Sequence, residues 1–208
     1  MRPVSDAAFF TDAARKRVTE AVVDVESRTA AEVVVVVRCA SDAWRALDLA
    51  AGAAVAFAVL LLVLFHPHPI PVAAMPIDVA LGFVAGAVLC GGIAPLKRAL
   101  LPARRVAARV HAAACEAFVD QGVSRTRGRT GVLVYVSTFE RRVEVVADVG
   151  VDAKDLEAPV RALRDAVSRG ADFDAFVEAL RGIGPSLERP LPRAADDVNE
   201  LPDAPVMP

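Results

Sequence analysis

A chain of 208 residues has room for one domain of ordinary size plus an appendage, and its 55% apolar content with a positive mean hydropathy excludes a disordered chain. The 24 Lys and Arg stand against 26 Asp and Glu, so the net charge of −2 indicates neither a nucleic-acid binder nor an acidic solvating tail. The average conceals an asymmetry: in the 51 residues from Ala46 to Leu96 the only charges are Asp48 and Asp78, with no Lys or Arg. This pattern predicts a membrane hairpin set inside a globular domain.

Met1 to Arg45 carries acids and bases throughout, so no export signal is legible there. Asp6 is placed to cap a helix running to about Arg28, with Phe9, Phe10, Ala13, Val18, Ala21, Val22 and Val25 on one apolar face. Glu32–Arg38 follows as a strand. Its Val33 to Val37 run is β-branched and apolar on both faces, which suits a central position covered on two sides.

Roughly 20 apolar residues at 1.5 Å rise span the ~30 Å hydrocarbon layer. Ala46–Phe65 and Ile77–Leu96 each meet that length, separated by His66-Pro67-His68-Pro69 and a short loop. A buried core hairpin is the rival, but a domain this small can hardly enclose two helices that are apolar all round. Arg38 and Arg45 precede the first span, and Lys97, Arg98, Arg104, Arg105 and Arg109 follow the second, while the loop has no cation. The charge rule therefore predicts a multi-pass inner (cytoplasmic) membrane protein with both termini cytoplasmic. Gly82 and Gly86, spaced as GxxxG, and Gly52 and Ala56 would let the two helices approach closely. His66 and His68 supply too few donors for a metal site and read as turn residues.

Beyond the hairpin, Val106–Gln121 resumes as a helix stopped by Gly122. Gly131–Ser137 reads as a second buried strand, and Arg142–Asp148 as its hairpin partner after a turn around Thr138–Arg141. Helices over about Asp155–Arg169 and Asp172–Gly182 close the domain, and residues 185–208 read as an extended tail. Cys39, Cys90 and Cys115 have no CxxC or Cys/His spacing, which argues against a disulfide framework or zinc site and suits a reducing compartment. His111, on a helix, lacks a visible partner and reads as a core or surface histidine.

Strand, crossover, strand argues a parallel pair with helices on both faces and an antiparallel edge strand. Because the crossover contains the hairpin, the first strand should point toward the bilayer and three polar segments should meet at the edge far from it. The first holds Glu26, Thr29 and Glu32; the second runs Ser124-Arg125-Thr126-Arg127-Gly128-Arg129-Thr130-Gly131; the third is Asp148-Val149-Gly150-Val151-Asp152. Arg127, Arg129 and Thr130, with free backbone N–H groups, are the chemistry that holds a phosphate or carboxylate. Asp148, Asp152 and Asp155 are candidates for a divalent cation, since hard cations want converging oxygens. The alternative is that these arginines pair with those carboxylates and lock the loops. No GxSxG, P-loop or GxGxxG supports nucleophilic or nucleotide chemistry.

These blocks carry a resemblance. Glu26-x-x-Thr29-x-x-Glu32-Val-Val-Val-Val, then Arg127-x-Arg129-Thr130-Gly131-Val-Leu-Val-Tyr-Val-Ser, then Glu140-Arg141-Arg142-Val-Glu-Val-Val-Ala-Asp148-x-Gly150-Val151 resembles the TPM-domain family. More narrowly, the chain is similar to bacterial membrane proteins in which that domain is interrupted by a transmembrane hairpin and ends in a segment like Asn199-Glu200-Leu201-Pro202-Asp203. The resemblance implies an α/β/α sandwich around a short mixed sheet. It also implies a phosphatase label and calcium binding, with family metal-binding acids mapping to Asp148 and Asp152. Three functions are therefore expected to compete: a non-catalytic or weakly catalytic module binding an ion, anion or partner; a metal-assisted phosphatase; and a structural partner of other membrane proteins or of a second copy.

Overall fold

The Val33–Val37 run forms β1 (Glu32–Arg38), as its β-branched composition predicts, and pairs in parallel with β2 (Gly131–Ser137) from Glu32↔Gly131 through Arg38↔Ser137. β3 (Arg142–Ala147) pairs antiparallel with β2 from Val132↔Ala147 to Ser137↔Arg142, giving an open mixed sheet ordered β1-β2-β3. The computed structural model describes residues 7–67, 71–168, 172–194 and 198–207. Asp6, His68 and Arg169 lie outside the described residues. The chain is a mixed α/β protein in two units, one of residues 1–41 and 107–208 and the other of residues 42–106.

In the larger unit the first helix is shorter than the apolar spacing suggests. Ala8–Phe10 makes a 3-10 turn, and α1 (Asp12–Glu26) starts afresh with Thr11 as its cap, whose Oγ1 accepts from Ala14 N at 3.0 Å. The hydroxyl competes successfully for the helix start, and the break lets Phe9 turn inward against Phe173 and Phe176. The smaller unit holds α2 (Arg45–Phe65), α3 (Met75–Gly92) and α4 (Ala94–Leu100), and α5 (Ala103–Asp120) follows. After β3 come α6 (Glu157–Ser168), α7 (Phe173–Arg181) and α8 (Ile183–Leu187). Asp172 caps α7 by accepting from Asp174 N and Ala175 N, both at 3.1 Å.

Val33, Val35, Val37, Val132, Val134 and Val136 join Val22 and Val25 of α1, Leu163 of α6 and Phe176 and Leu180 of α7 in one buried core. Burial of these side chains, worth about 1.5–3 kcal/mol each, fixes the strand register, since a slip of one residue would turn the set away.

The C-terminal segment departs from a free extended tail. It begins with the helical turn α8, and Thr29 and Ala30 then meet Pro192 and Leu191, with Ala30 N donating to Leu191 O at 3.0 Å. Farther on, Val37 N donates to Val206 O and Val206 N to Val35 O, both at 2.9 Å. A Pro-rich, acidic segment lacks periodicity, so its pairing to the open edge of β1 is carried by backbone groups that composition does not reveal.

In the smaller unit, α2 and α3 are long and apolar enough to cross a membrane, and they are only 11% and 17% buried along their most apolar windows. They pack through glycines. A Cβ on Gly86 would lie 2.8 Å from Val55 Cβ, one on Gly52 2.8 Å from Phe83 O, and one on Gly82 2.9 Å from Val59 Cγ2. The GxxxG pair is thus occupied within the hairpin itself, as close packing of the two helices requires. The second expected span, 77–96, is not continuous: α3 ends at Gly92 and α4 starts at Ala94. Pro95 has no N–H and its ring opposes the carbonyl four residues back, so the helix restarts there. Lys97 Nζ lies 2.8 Å from Asp48 Oδ2, neutralising one of the two charges of the apolar tract.

Candidate functional site

The three polar segments do meet, at the end of the sheet where β1 and β2 start and β3 finishes. Glu32 N donates to Thr130 O at 3.3 Å, Thr130 Oγ1 to Ala30 O at 2.8 Å, and Asp148 N to Gly131 O at 2.9 Å. Gly150 N donates to Arg129 O at 2.9 Å, and a Cβ on Gly150 would lie 2.6 Å from both Gly128 O and Arg129 O, so only glycine allows the two loops this approach.

Within this cluster Arg129 and Asp148 are bound to each other. Arg129 Nη2 donates to Asp148 Oδ1 at 2.9 Å with Nε 2.9 Å from Oδ2, and Val149 N adds a bond to Oδ1 at 2.8 Å. Asp148 is 5% exposed, so this contact neutralises a buried charge. Asp152 accepts from Lys154 N at 3.0 Å in an exposed turn. Thr130 N donates to Thr126 Oγ1 at 3.1 Å, and Thr29 Oγ1 donates to Leu191 O at 2.7 Å, so both threonines tie loops together. Arg127 projects outward with 90% of its side chain exposed, its Nε 3.8 Å from Glu200 Oε1. Among the described residues no three His, Cys, Asp or Glu side chains stand close enough to hold a metal ion.

The acidic half of the cluster is more distinctive. Glu26, at the last turn of α1, is buried and accepts from Val33 N at 2.9 Å. Burial pushes its carboxyl from 4.5 up to about 8, and the nearby carboxylates of Glu32 and Asp203 push the same way, against the Val33 hydrogen bond and Arg193. Glu26, Glu32, Asp203, Asn199 and Arg193 line a cleft of about 140 Å³. Glu32 also borders a neighbouring cleft of about 240 Å³ with Arg127, Thr130 and Glu200. Glu32 Oε2 accepts from Leu201 N at 3.2 Å, Glu200 Oε2 accepts from Arg127 N at 2.9 Å, and Arg193 Nη1 donates to Glu26 O at 2.8 Å.

Four residues of this site were not among the sequence candidates: Arg193, Asn199, Glu200 and Asp203, all from the C-terminal segment. The signal available was the Asn199-Glu200-Leu201-Pro202-Asp203 run, in which polar side chains interrupt a Pro-rich segment at fixed places.

Neither a family model nor a curated protein sequence matches the chain. Among solved structures, it is similar to the NMR structure of the BA42 protein from the psychrophilic bacterium Bizionia argentinensis, at 16% identity over 94% of this chain and 93% of that one, with a TM-score of 0.56. At that identity the likeness shows a shared mixed α/β fold.

Proposed function

We propose that the chain is a membrane-anchored recognition module of the TPM-domain kind, a three-layer α/β/α sandwich interrupted by a two-helix transmembrane hairpin, without catalysis or with only weak catalysis. Its ligand is a cationic group presented by a membrane-protein partner, received in the cleft of Glu26, Glu32 and Asp203. Both termini face the cytoplasm of an inner membrane, by the distribution of Lys and Arg around the hairpin.

One observation carries this reading: the buried Glu26 carboxyl shares a cleft with Glu32 and Asp203, three acids against the single Arg193, and burial pushes the Glu26 carboxyl up to about 8. Such a site gains from an incoming positive charge, because the cation lets Glu26 ionise and relieves the repulsion among the three acids. A cleft of about 140 Å³ suits an ammonium or guanidinium head. Phosphoester hydrolysis through Arg129 and Asp148 would require those two residues to exchange each other for phosphate and metal.

The test uses the full chain in detergent micelles at pH 7.5. A tri-arginine amide is expected to raise the thermal midpoint, and Glu32→Gln with Asp203→Asn to abolish the rise. Stabilisation by Ca²⁺ or Mg²⁺ alone would replace this reading with ion binding. A rise with phosphate alone, or none with any probe, overturns it. Topology is checked separately by an impermeant thiol reagent on intact cells, which should spare Cys39 and Cys115 although it labels them in lysate.

A further inference from the structure

A second constellation lies away from this end of the sheet. The sequence shows no partner for His111, yet on α5 Cys115 follows it by four residues, one helical turn, which places Sγ 3.6 Å from His111 Nε2. The other ring nitrogen, Nδ1, lies 2.9 Å from Glu144 Oε1 on β3. Glu144 sits opposite Tyr135 in the β2–β3 ladder, on the other side of the strand from the buried Val143 and its core. Arg164 of α6 approaches the second oxygen of Glu144 to 3.6 Å. A thiol, an imidazole and a carboxylate are thus in line, brought together from a helix and a strand far apart in sequence.

The partners fix the proton positions. A carboxylate oxygen accepts, so Nδ1 carries the hydrogen and Nε2 offers its lone pair to the Cys115 thiol. Transfer of the thiol proton to Nε2 gives a thiolate beside an imidazolium, and Glu144 stabilises that imidazolium. The charged partners that the geometry shows are Glu144 from β3, on His111, and Arg164 from α6, on Glu144. His111 is 62% exposed in its side chain and Cys115 is half-buried, so a small solute can reach the sulfur.

We infer that Cys115 is an activated thiol, a modification site that exchanges with low-molecular-weight disulfides, with His111 as its base and Glu144 as the positioning residue for that imidazole. In the exchange the Cys115 thiolate attacks one sulfur of R–S–S–R, the S–S bond breaks, and a Cys115–S–S–R mixed disulfide forms. The departing thiolate takes the proton held by His111 and leaves as R–SH, so one thiol and one disulfide are consumed and one of each is produced. Disulfides suit the site better than acyl groups. Acyl transfer needs donors aimed at a developing oxyanion, and the backbone N–H groups around Cys115 are committed to the α5 helix, whereas attack on sulfur needs only a thiolate and a leaving group.

The experiment treats the reduced full chain in micelles with oxidised glutathione, and separately with an aromatic disulfide, and locates adducts by peptide mass spectrometry. Cys39, also half-buried, is the internal reference. Cys115 is expected to react at least ~10-fold faster than Cys39 at pH 7, and the ratio of the two rates is followed as a function of pH. His111→Ala should bring Cys115 to the rate and pH profile of an ordinary thiol. Glu144→Gln, which leaves α5 unaltered, should fall between. Equal rates at Cys115 and Cys39 in the parent chain, or an unchanged Cys115 rate in both variants, overturn the inference. Should His111→Ala fail to fold by circular dichroism, the parent profile and Glu144→Gln decide it.

Discussion

Arg129 reaches Asp148 with two nitrogens, each 2.9 Å from a carboxylate oxygen, and does so from a backbone whose φ is +55°. A residue in the left-handed region therefore holds a carboxylate that is almost fully buried. Arg129→Ala removes the cation and keeps the unfavourable backbone, and is expected to lower unfolding stability by about 2–3 kcal/mol in a urea titration. Arg129→Gly removes the same cation but relaxes the backbone, and should recover about 1 kcal/mol of that loss. Equal stability of the alanine variant and the parent would mean that Val149 N alone satisfies Asp148.

Glu26 sets a pH dependence of definite sign. In the unfolded chain its carboxyl loses the proton near 4.5, while in the fold it keeps it to about 8. The unfolded state thus binds fewer protons across that window, and stability falls as pH rises from 4.5 to 8, with no contribution to the slope on either side. Glu26→Gln keeps an acceptor for Val33 N and removes the ionisation. It should match the parent at pH 4 and exceed it at pH 8 by on the order of 4 kcal/mol in denaturant unfolding. Parallel pH profiles for the two proteins would refute the assignment.

The C-terminal segment offers a substitution that touches backbone alone. Val206→Pro removes the N–H that reaches Val35 O and leaves Val206 O free to accept from Val37 N. About 1 kcal/mol of stability should be lost. Proteolysis near the C-terminus should quicken, and hydrogen exchange at Val37, read by mass spectrometry, should quicken with it. Unchanged exchange would show that the segment is held by Glu32 Oε2, Glu200 and Arg127 and not by the Val35 and Val37 backbone.

In the hairpin, Gly86→Leu places a branched side chain where even a Cβ would meet Val55 at 2.8 Å and Ala51 O at 2.9 Å. Gly92→Leu, with no atom within 4 Å of its added Cβ, is the matched control. The first should cost about 1–3 kcal/mol in thermal unfolding followed by helical circular dichroism in micelles, and the second very little. Equal effects would separate the glycines from helix packing.

Much of the fold is legible in local patterns. Val33–Val37 and Gly131–Val136 read as strands of a doubly buried kind, and the tract without Lys or Arg reads as long apolar helices. Helix boundaries are less legible, because Thr11 and Pro95 act within otherwise continuous apolar spacing. The meeting of the Glu26, Arg129 and Asp148 segments follows from strand order. What they do on meeting does not follow, since arginine and aspartate in adjoining loops have the same composition whether they hold a ligand or each other. The acidic cleft was hidden for another reason: three of its lining residues, Arg193, Asn199 and Asp203, come from a segment with no apolar periodicity to tie it to β1. Cys115 and His111 were separable by helical spacing alone, but Glu144 required the strand to be placed beside them.

Both neighbours of β1 come late in the chain: β2 follows the entire hairpin, and Val206 belongs to the final described residues. During synthesis β1 therefore leaves the ribosome with neither edge satisfied, and stays so while the apolar hairpin is being made. Until β2 is made, five consecutive valines have no sheet to join. β1 must therefore stay shielded while the apolar helices are made, and a segment translated after the whole sheet closes its second edge.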